Sequence, residues 1–403
     1  MKIVIAPDTF KESLPAAQVA QAIARGVLAV VPEAQIDLCP MADGGEGTVE
    51  AMVAATGGRF LAADVFDPLG QEIRARFGLL GTDGDQGLLP GEIGLVAAEE
   101  AARGQASCPA AATAVIEMAA ASGLGLVRPD MRDPMRTTSY GTGQLISAAL
   151  DAGARRIILG IGGSATVDGG AGCAQGLGVT FSEPDGSPCA CGLAGGGLES
   201  IATIDLSTRD ERLAQADIRV ACDVNNPLTG PQGAAAIYGP QKGATDEMVE
   251  QLDRGLAHLA RLIREQMDID VEAIPGSGAA GGLGAGLIAF AGARLENGGK
   301  LIADALRLPQ RLRGADLCFT GEGRIDAQSR FGKVPVRVAN VAGIQGVSTV
   351  CIAGLVEPDA PREIFRDIRA LVEGDTTTAQ ALANPADLLS TRAEQIMRKF
   401  INS

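Results

Sequence analysis

The sequence predicts an α/β protein of two domains: a flavodoxin-like doubly wound parallel sheet, with a mixed-sheet α/β domain inserted into it. Three observations predict this. Short apolar runs alternate with helical patterns at both ends of the chain, as βαβ units require. The middle breaks that alternation with a hairpin pattern and Gly-rich segments. Hydrophobic residues make up 46% but aromatics only 3%, with no Trp, so Ala, Gly, Val, Leu and Ile must do the packing. Such side chains suit helices laid closely on a parallel sheet. The length of 403 residues allows two or three domains.

The elements follow in order. Residues 2–6 read as a buried strand, and residues 13–31 as a helix with Ser13 as N-cap and Pro15 in the first turn. A second strand at 35–40 and a second helix at 47–56 imply parallel pairing with a right-handed crossover. Residues 59–65 and 72–79 alternate apolar with polar around Asp67-Pro68-Leu69-Gly70, an antiparallel hairpin. Strands are predicted at 113–118, 156–160 and 218–222. Met248, Leu252, Leu256, Leu259, Ile263 and Met267 form a stripe at helical spacing over 245–267. The last third returns to alternation, with strands at 317–320, 348–353 and 368–372 and helices at 334–342 and 386–400. The two ends together supply about five parallel strands, the count of a flavodoxin-like sheet. Residues 1–57 and 286–403 are therefore assigned to that domain, and residues 58–285 to the inserted one.

Composition excludes several function classes. The formal net charge is −15 with no long basic run, which argues against nucleic acid as a partner and against anionic membranes. No run of about 18 apolar residues suggests a membrane span, and no signal peptide is visible, so a cytoplasmic protein is expected. The single histidine, His258, falls with Arg254, Arg261 and Glu265 on the polar face of its helix. A Ser-His-Asp triad, a Cys-His pair and a His-rich metal site all lack their histidine. The eight Cys are scattered apart from Cys189-Ala190-Cys191, with no CxxC pair to form a structural zinc site.

The carboxylates carry more. Asp8, Asp43, Glu46, Asp168, Asp223, Glu322 and Asp326 all sit in Gly- or Asn-rich segments beside predicted strand ends. One such acid alone would be an N-cap or a turn residue. The set resembles what phosphoryl transfer needs: oxygen ligands for a metal and a group to orient the attacking hydroxyl. Lys11, Lys242 and Arg324 lie in separate motifs and supply cations for phosphoryl oxygens. No GxxxxGK[ST] sequence occurs, which argues against a P-loop kinase. Two Gly runs, Gly160-Ile161-Gly162-Gly163-Ser164-Ala165 and Gly276-Ser277-Gly278-Ala279-Ala280-Gly281, imitate a dinucleotide fingerprint but suit phosphate cradling equally. From the residues, an NAD-linked oxidoreductase of small hydroxy acids and a non-catalytic binder of small anions remain alternatives.

The motif blocks also carry a resemblance. Residues 6–13 (Ala-Pro-Asp-Thr-Phe-Lys-Glu-Ser) and 41–48 (Met-Ala-Asp-Gly-Gly-Glu-Gly-Thr) resemble the opening signatures of the glycerate kinase family. The match continues through residues 116–124, 137–143, 160–166, 221–228, 239–244, 276–286 and 320–326, in family order. The resemblance implies transfer of the γ-phosphate of ATP to D-glycerate, typically giving 2-phosphoglycerate, with Mg²⁺ as cofactor. It implies a restriction-enzyme-like sheet for the inserted domain. Together with the motif reading it assigns Asp8, Lys11, Asp43, Glu46, Asp168, Asp223 and Arg324 to catalysis. Ser139, Gly141, Gly162, Gly163, Ser164, Asn226, Lys242, Gly278, Gly281 and Glu322 are assigned to substrate or nucleotide binding. Asp43, Asp223 and Asp326 are assigned to the metal. Three departures stand out. Residues 82–112, with a helix predicted at 96–103, form an insertion that suits a lid, a dimer contact or decoration; a homodimer is left open. Val167 stands where the family usually has Asn, beside the retained Asp168. Residues 354–357 (Gly-Leu-Val-Glu) depart from the family's Gly-Ser-Leu.

Overall fold

Ile3, Val4 and Ile5 are apolar without alternation, and in the structure all three are fully buried. That is what a central parallel strand, covered on both faces, demands. The computed structural model describes residues 1–10, 13–81, 95–97 and 112–402, with only the backbone of 95–97 and 331. Strand β1 (Lys2–Ile5) pairs in parallel with β2 (Gln35–Leu38) on one side and with β12 (Leu317–Ile325) on the other. Beyond β12 lie β13 (Thr349–Val356) and β14 (Asp367–Ala370), also parallel. The order β14-β13-β12-β1-β2 is the flavodoxin order when its strands are counted along the chain.

The second sheet is mixed, in the order β11-β10-β7-β6-β4-β3-β5. The predicted hairpin is β3 (Arg59–Phe66) and β4 (Glu72–Leu79), antiparallel with Phe66 opposite Glu72. Strands β6 (Ala112–Glu117), β7 (Ala154–Gly160), β10 (Asp217–Ala221) and β11 (Arg294–Glu296) run parallel to one another. A small separate pair joins β8 (Thr180–Ser182) to β9 (Thr203–Asp205). The protein thus has two α/β domains. Their cores meet, because Val115 of β6 and Ile158 of β7 pack in one buried cluster with Val4, Met52, Ile302 and Val338 of the first domain.

Several expectations need correction. Strand β11 pairs with β10, so the mixed sheet reaches past the boundary set at 285/286, and we propose that the chain crosses back near Asn297. Ser13 is not an N-cap: the first helix is Ala16–Leu28, and Pro15 takes that position with extended backbone. Strand β12 does not stop at Thr320 but runs to Ile325, since Gly321, Glu322 and Arg324 keep their register with Ile352, Ala353 and Leu355 of β13. Val96 and Ala97 lie in the edge strand β5 (Leu95–Ala97), not in a helix; they pair with β3, a partner that local sequence cannot announce. Ala112, the last residue of the 82–112 insertion, begins β6; the rest of the insertion lies outside the described residues, as do Lys11 and Glu12. His258 is on its helix surface as expected, yet half-buried, with Nε2 2.6 Å from the Ile201 carbonyl.

Arg311 fastens the outer strand of the parallel sheet. Its guanidinium donates to Asp37 of β2 at 2.5 Å, to the Ala55 carbonyl at 2.6 Å and to the Leu306 carbonyl at 3.0 Å. A partly buried cation with all these partners is costly to delete, because the partners stay buried without it. Arg311→Met is therefore expected to lower stability by about 2–4 kcal/mol. The urea midpoint measures this, and an unchanged midpoint would show that the pair is only superficial.

Candidate active site

The two sheets present their carboxyl edges to one another, and the motif residues collect there. After β2 the chain turns at Met41, whose N–H donates to the Pro7 carbonyl at 2.8 Å. This ties residues 41–47 to the end of β1. Asp43 then stands exposed, its Oδ1 accepting the Gly45 N–H at 2.8 Å. Glu117, ending β6 of the other sheet, accepts the Val49 N–H at 2.9 Å at the start of the Thr48–Thr56 helix. Burial pushes its carboxyl above the ordinary glutamate range, against the pull of the Val49 and Gly47 amides. From the mixed sheet come Gly162, Gly163 and Ser164 after β7, and Asp223 after β10. All line one cleft of about 420 Å³ with Asp43, Tyr238 and Lys242.

Lys242 is the cation of this cleft and is only 2% exposed. Its Nζ donates to Ser164 Oγ at 2.5 Å and to the Thr166 carbonyl at 2.7 Å. Burial pulls its pKa down to about 7, while the nearby Asp168 carboxylate opposes that shift. Asp168 itself has no exposed surface. Its Oδ2 accepts both the N–H and the hydroxyl of Ser139 at 2.7 Å, and its Oδ1 accepts the Gly170 N–H at 3.0 Å. Burial raises its pKa, against these hydrogen bonds. Asp168 and Ser139, predicted to act on substrate, instead form a buried support beneath the loop of Ser164.

The other expected residues divide in the same way. Gly281 has φ +72°, and a Cβ there would lie 1.9 Å from the Thr166 carbonyl. At Gly278 and Gly141 a Cβ would likewise lie 2.0 Å from a backbone carbonyl, of Pro227 and of Phe66. The glycines of the 276–281 run are thus close-packed on the side a Cβ would take, while Ala279 and Ala280 within the run line the cleft. Asn226 accepts the Tyr238 hydroxyl at 2.7 Å beside the cleft. Glu46 is exposed in the turn after Asp43. Asp8 follows β1, its N–H donating to the Gly321 carbonyl at 2.8 Å, so it shares the sheet edge with Glu322. Glu322 meets Lys333 at 3.1 Å, and Arg324 meets Glu357 at 2.6 Å. Arg324 is not among the cleft-lining residues.

The metal trio is not brought together. Among the described residues no three His, Cys, Asp or Glu form a ligand group. Asp326 is held away from Asp43 and Asp223 because it caps the turn after β12, accepting the Ser329 N–H and hydroxyl at 3.1 Å. The two remaining carboxylates are hard oxygen donors in a polar cleft. They fit Mg²⁺, which takes one or two carboxylates plus phosphate oxygens and water, and they do not fit a zinc site.

Sequence reasoning passed over Glu117, Tyr238 and Asn297. Asn297 accepts the Lys300 N–H at 3.1 Å, capping the Gly298–Ala305 helix, and its amide donates to Asp223. An Asn before Gly-Gly at a helix start was a readable signal. Gly298 donates its N–H to Asp223 at 3.0 Å, and a Cβ on it would lie 2.5 Å from the Asp43 carbonyl. The two acid loops therefore close on one glycine.

Comparison with known proteins bears on the same residues. The model of the glycerate kinase family matches residues 3–401. The chain is 49% identical over 359 residues to a glycerate 2-kinase of Escherichia coli, covering 89% of this chain and 86% of that one. It is 44% identical over 399 residues to a glycerate kinase of Bacillus subtilis, covering 98% and 97%. A crystal structure described as glycerate kinase 2 from Salmonella typhimurium LT2 superposes with a TM-score of 0.86 at 46% identity, covering 100% of this chain and 98% of that one.

The lowered pKa of Lys242 gives a signed expectation. From about pH 7 upwards the folded chain has released a proton that the unfolded chain still holds, so stability rises with pH until the ordinary lysine range. Lys242→Met removes that rise. Urea unfolding at about pH 7 and about pH 9 should show the wild type gaining at least about 1 kcal/mol relative to the variant. Parallel pH dependence in the two proteins would mean that the ammonium is not desolvated.

Proposed function

The chain belongs to the glycerate kinase family, and on that premise we propose that it transfers the γ-phosphate of ATP to D-glycerate in the cleft between the two sheets. The observation that carries this reading is the convergence of Asp43, Asp223 and Lys242 on the Gly162-Gly163-Ser164 turn. Lys242 and the turn's amides face the transferring phosphate. Bound phosphate favours the protonated form of Lys242, and a cation in a water-poor site stabilises developing charge far better than one in bulk water. Asp223 orients the attacking hydroxyl and accepts its proton. One of its oxygens is held by Asn297 and Gly298, which leaves Oδ2 for the substrate. Mg²⁺, held by Asp43 together with phosphate oxygens, would supply neutralisation of the phosphate charge.

A second cavity, of about 690 Å³, adjoins the cleft and shares Cys222, Asp223 and Val224 with it. Its walls include Ile274, Pro275, Ile288, Ala293 and Leu295. We place the adenosine there, because an apolar slot opening on a phosphate site suits a purine. Lys11, from the resemblance, is proposed to meet the glycerate carboxylate or a phosphate. The 2-phosphoglycerate product rests on the resemblance too. Among the described residues no helix is long and apolar enough to cross a membrane. The cytoplasm is the proposed compartment, and a homodimer the assembly to test.

The protein should form ADP from ATP and D-glycerate only when Mg²⁺ is supplied. Coupling to enolase without a mutase reports the 2-phospho isomer directly. No ADP from a folded, Mg²⁺-supplied sample would overturn the reading. Asp223→Asn and Asp43→Asn should keep the melting temperature and lower kcat by at least about a hundredfold. A normal kcat in either would remove that acid from the site.

A further inference from the structure

Among the described residues, the hydrogen bonds to Asp223 come from Asn297 and Gly298. We propose that Arg337 is a positioning residue of this site, acting on Asp223 through Asn297. The proposal rests on the reading of Asp223 given above. Arg337 lies on the Val334–Ile344 helix, which follows β12 of the parallel sheet. Asp223 follows β10 of the mixed sheet. Asn297 stands between them, where the chain crosses from β11 to the Gly298–Ala305 helix.

The chemistry of the amide fixes its direction. Arg337 Nη1 donates to Asn297 Oδ1 at 2.5 Å, and the Lys300 N–H donates to the same oxygen at 3.1 Å. Both partners are donors only, so the amide oxygen must face them. The amide nitrogen is thereby turned to Asp223, where it donates to Oδ1. Asn297 flipped over would set its NH₂ against a guanidinium and its oxygen against a carboxylate. Arg337 thus selects the rotamer that holds Asp223.

The guanidinium is itself fixed. Nη2 donates to the Gly332 carbonyl at 3.0 Å. Gly299 gives it room, since a Cβ there would stand 2.4 Å from Nε. The relay joins the two sheets at the point where the chain passes between them. A shift of one domain against the other would reach Asp223 by this route. Small displacements of a proton acceptor cost rate out of proportion to their size.

A merely structural Arg337 would pin one helix to another and change stability without selecting kcat. The two roles separate in kinetics of the full chain with Mg²⁺-ATP and D-glycerate. R337M should lower kcat about tenfold or more while both KM values stay within about threefold. R337K, which keeps the charge but loses the fork, should recover part of the loss. N297A should lose at least as much as R337M. The R337M/N297A double variant should be no worse than N297A, because the two residues act in series. R337M and R337K should melt close to wild type, while N297A, which also loses the cap of the Gly298–Ala305 helix, should melt lower. Wild-type kcat in R337M, a loss confined to KM, or losses that multiply in the double variant would each overturn the relay. If R337M does not fold, R337K against N297A and their double variant make the same comparison. D223N separates the two readings. An inactive D223N beside a normal R337M overturns the relay alone, while a fully active D223N overturns the site and the relay with it.

Discussion

The site depends on one buried charge. Taking the Lys242 ammonium out of water would cost several kcal/mol if it were left alone. The chain offsets this with the Ser164 hydroxyl, the Thr166 carbonyl and the field of Asp168. Each partner is fixed in turn. Asp168 is locked by Ser139 and by the Gly170 amide, and the Ser139 hydroxyl also accepts the Cys173 N–H at 2.9 Å. The starts of the Tyr140–Asp151 and Ala171–Gly176 helices are therefore set by the same network that holds the cation. In a chain of net charge −15, this ammonium is the cation that the described lining of the cleft sets against the proposed anions.

The second constraint is that the acids come from different sheets. Asp43 is delivered by the turn after β2, and Asp223 by the turn after β10. Each sheet is rigid, so the distance between the acids is set by how the domains meet. That contact is made of small apolar side chains around Val115, Ile158 and Met52. Gly298 marks the closest approach, with the Asp43 carbonyl on one side and the Asp223 carboxylate on the other. Absence of a side chain at this residue is as much a part of the site as the two acids.

Much of this was legible in the sequence, and the limits are physical. The parallel sheet announced itself because strands buried on both faces are continuously apolar, and the hairpin because its faces alternate. Gly162, Ser164, Lys242, Asp43 and Asp223 were all singled out in the sequence, and the structure gathers them around one cleft. Legibility failed where a residue's role depends on what faces it. Asp168 and Asp223 each follow a strand in a Gly- or Asn-rich segment, yet one is sealed under a loop and the other opens on the cleft. Gly281 and Gly163 have the same left-handed backbone, but Gly163 lines the cleft while Gly281 is packed against the Thr166 carbonyl. Ser13 looked like a cap because its residue type favours caps, and the bridge between Phe10 and Leu14 displaced the helix start beyond it. Local pattern encodes the element, whereas exposure is decided by a partner distant in sequence.

Val167 shows how such a departure is absorbed. A polar residue there would face the interior, since Val167 is fully buried among Leu252, Leu256 and Leu259. Its carbonyl abuts Gly195, and its Cα lies against Gly281. The side chain therefore contributes packing behind the loop, while Ser164 and Gly163 face the cleft from the other side. An Asn at this position would need hydrogen-bond partners within an apolar cluster, or a loop turned outward to reach the ligand. In this chain the valine anchors the loop by burial, and the proposed phosphate site, built from backbone amides and Lys242, needs no polar side chain at 167.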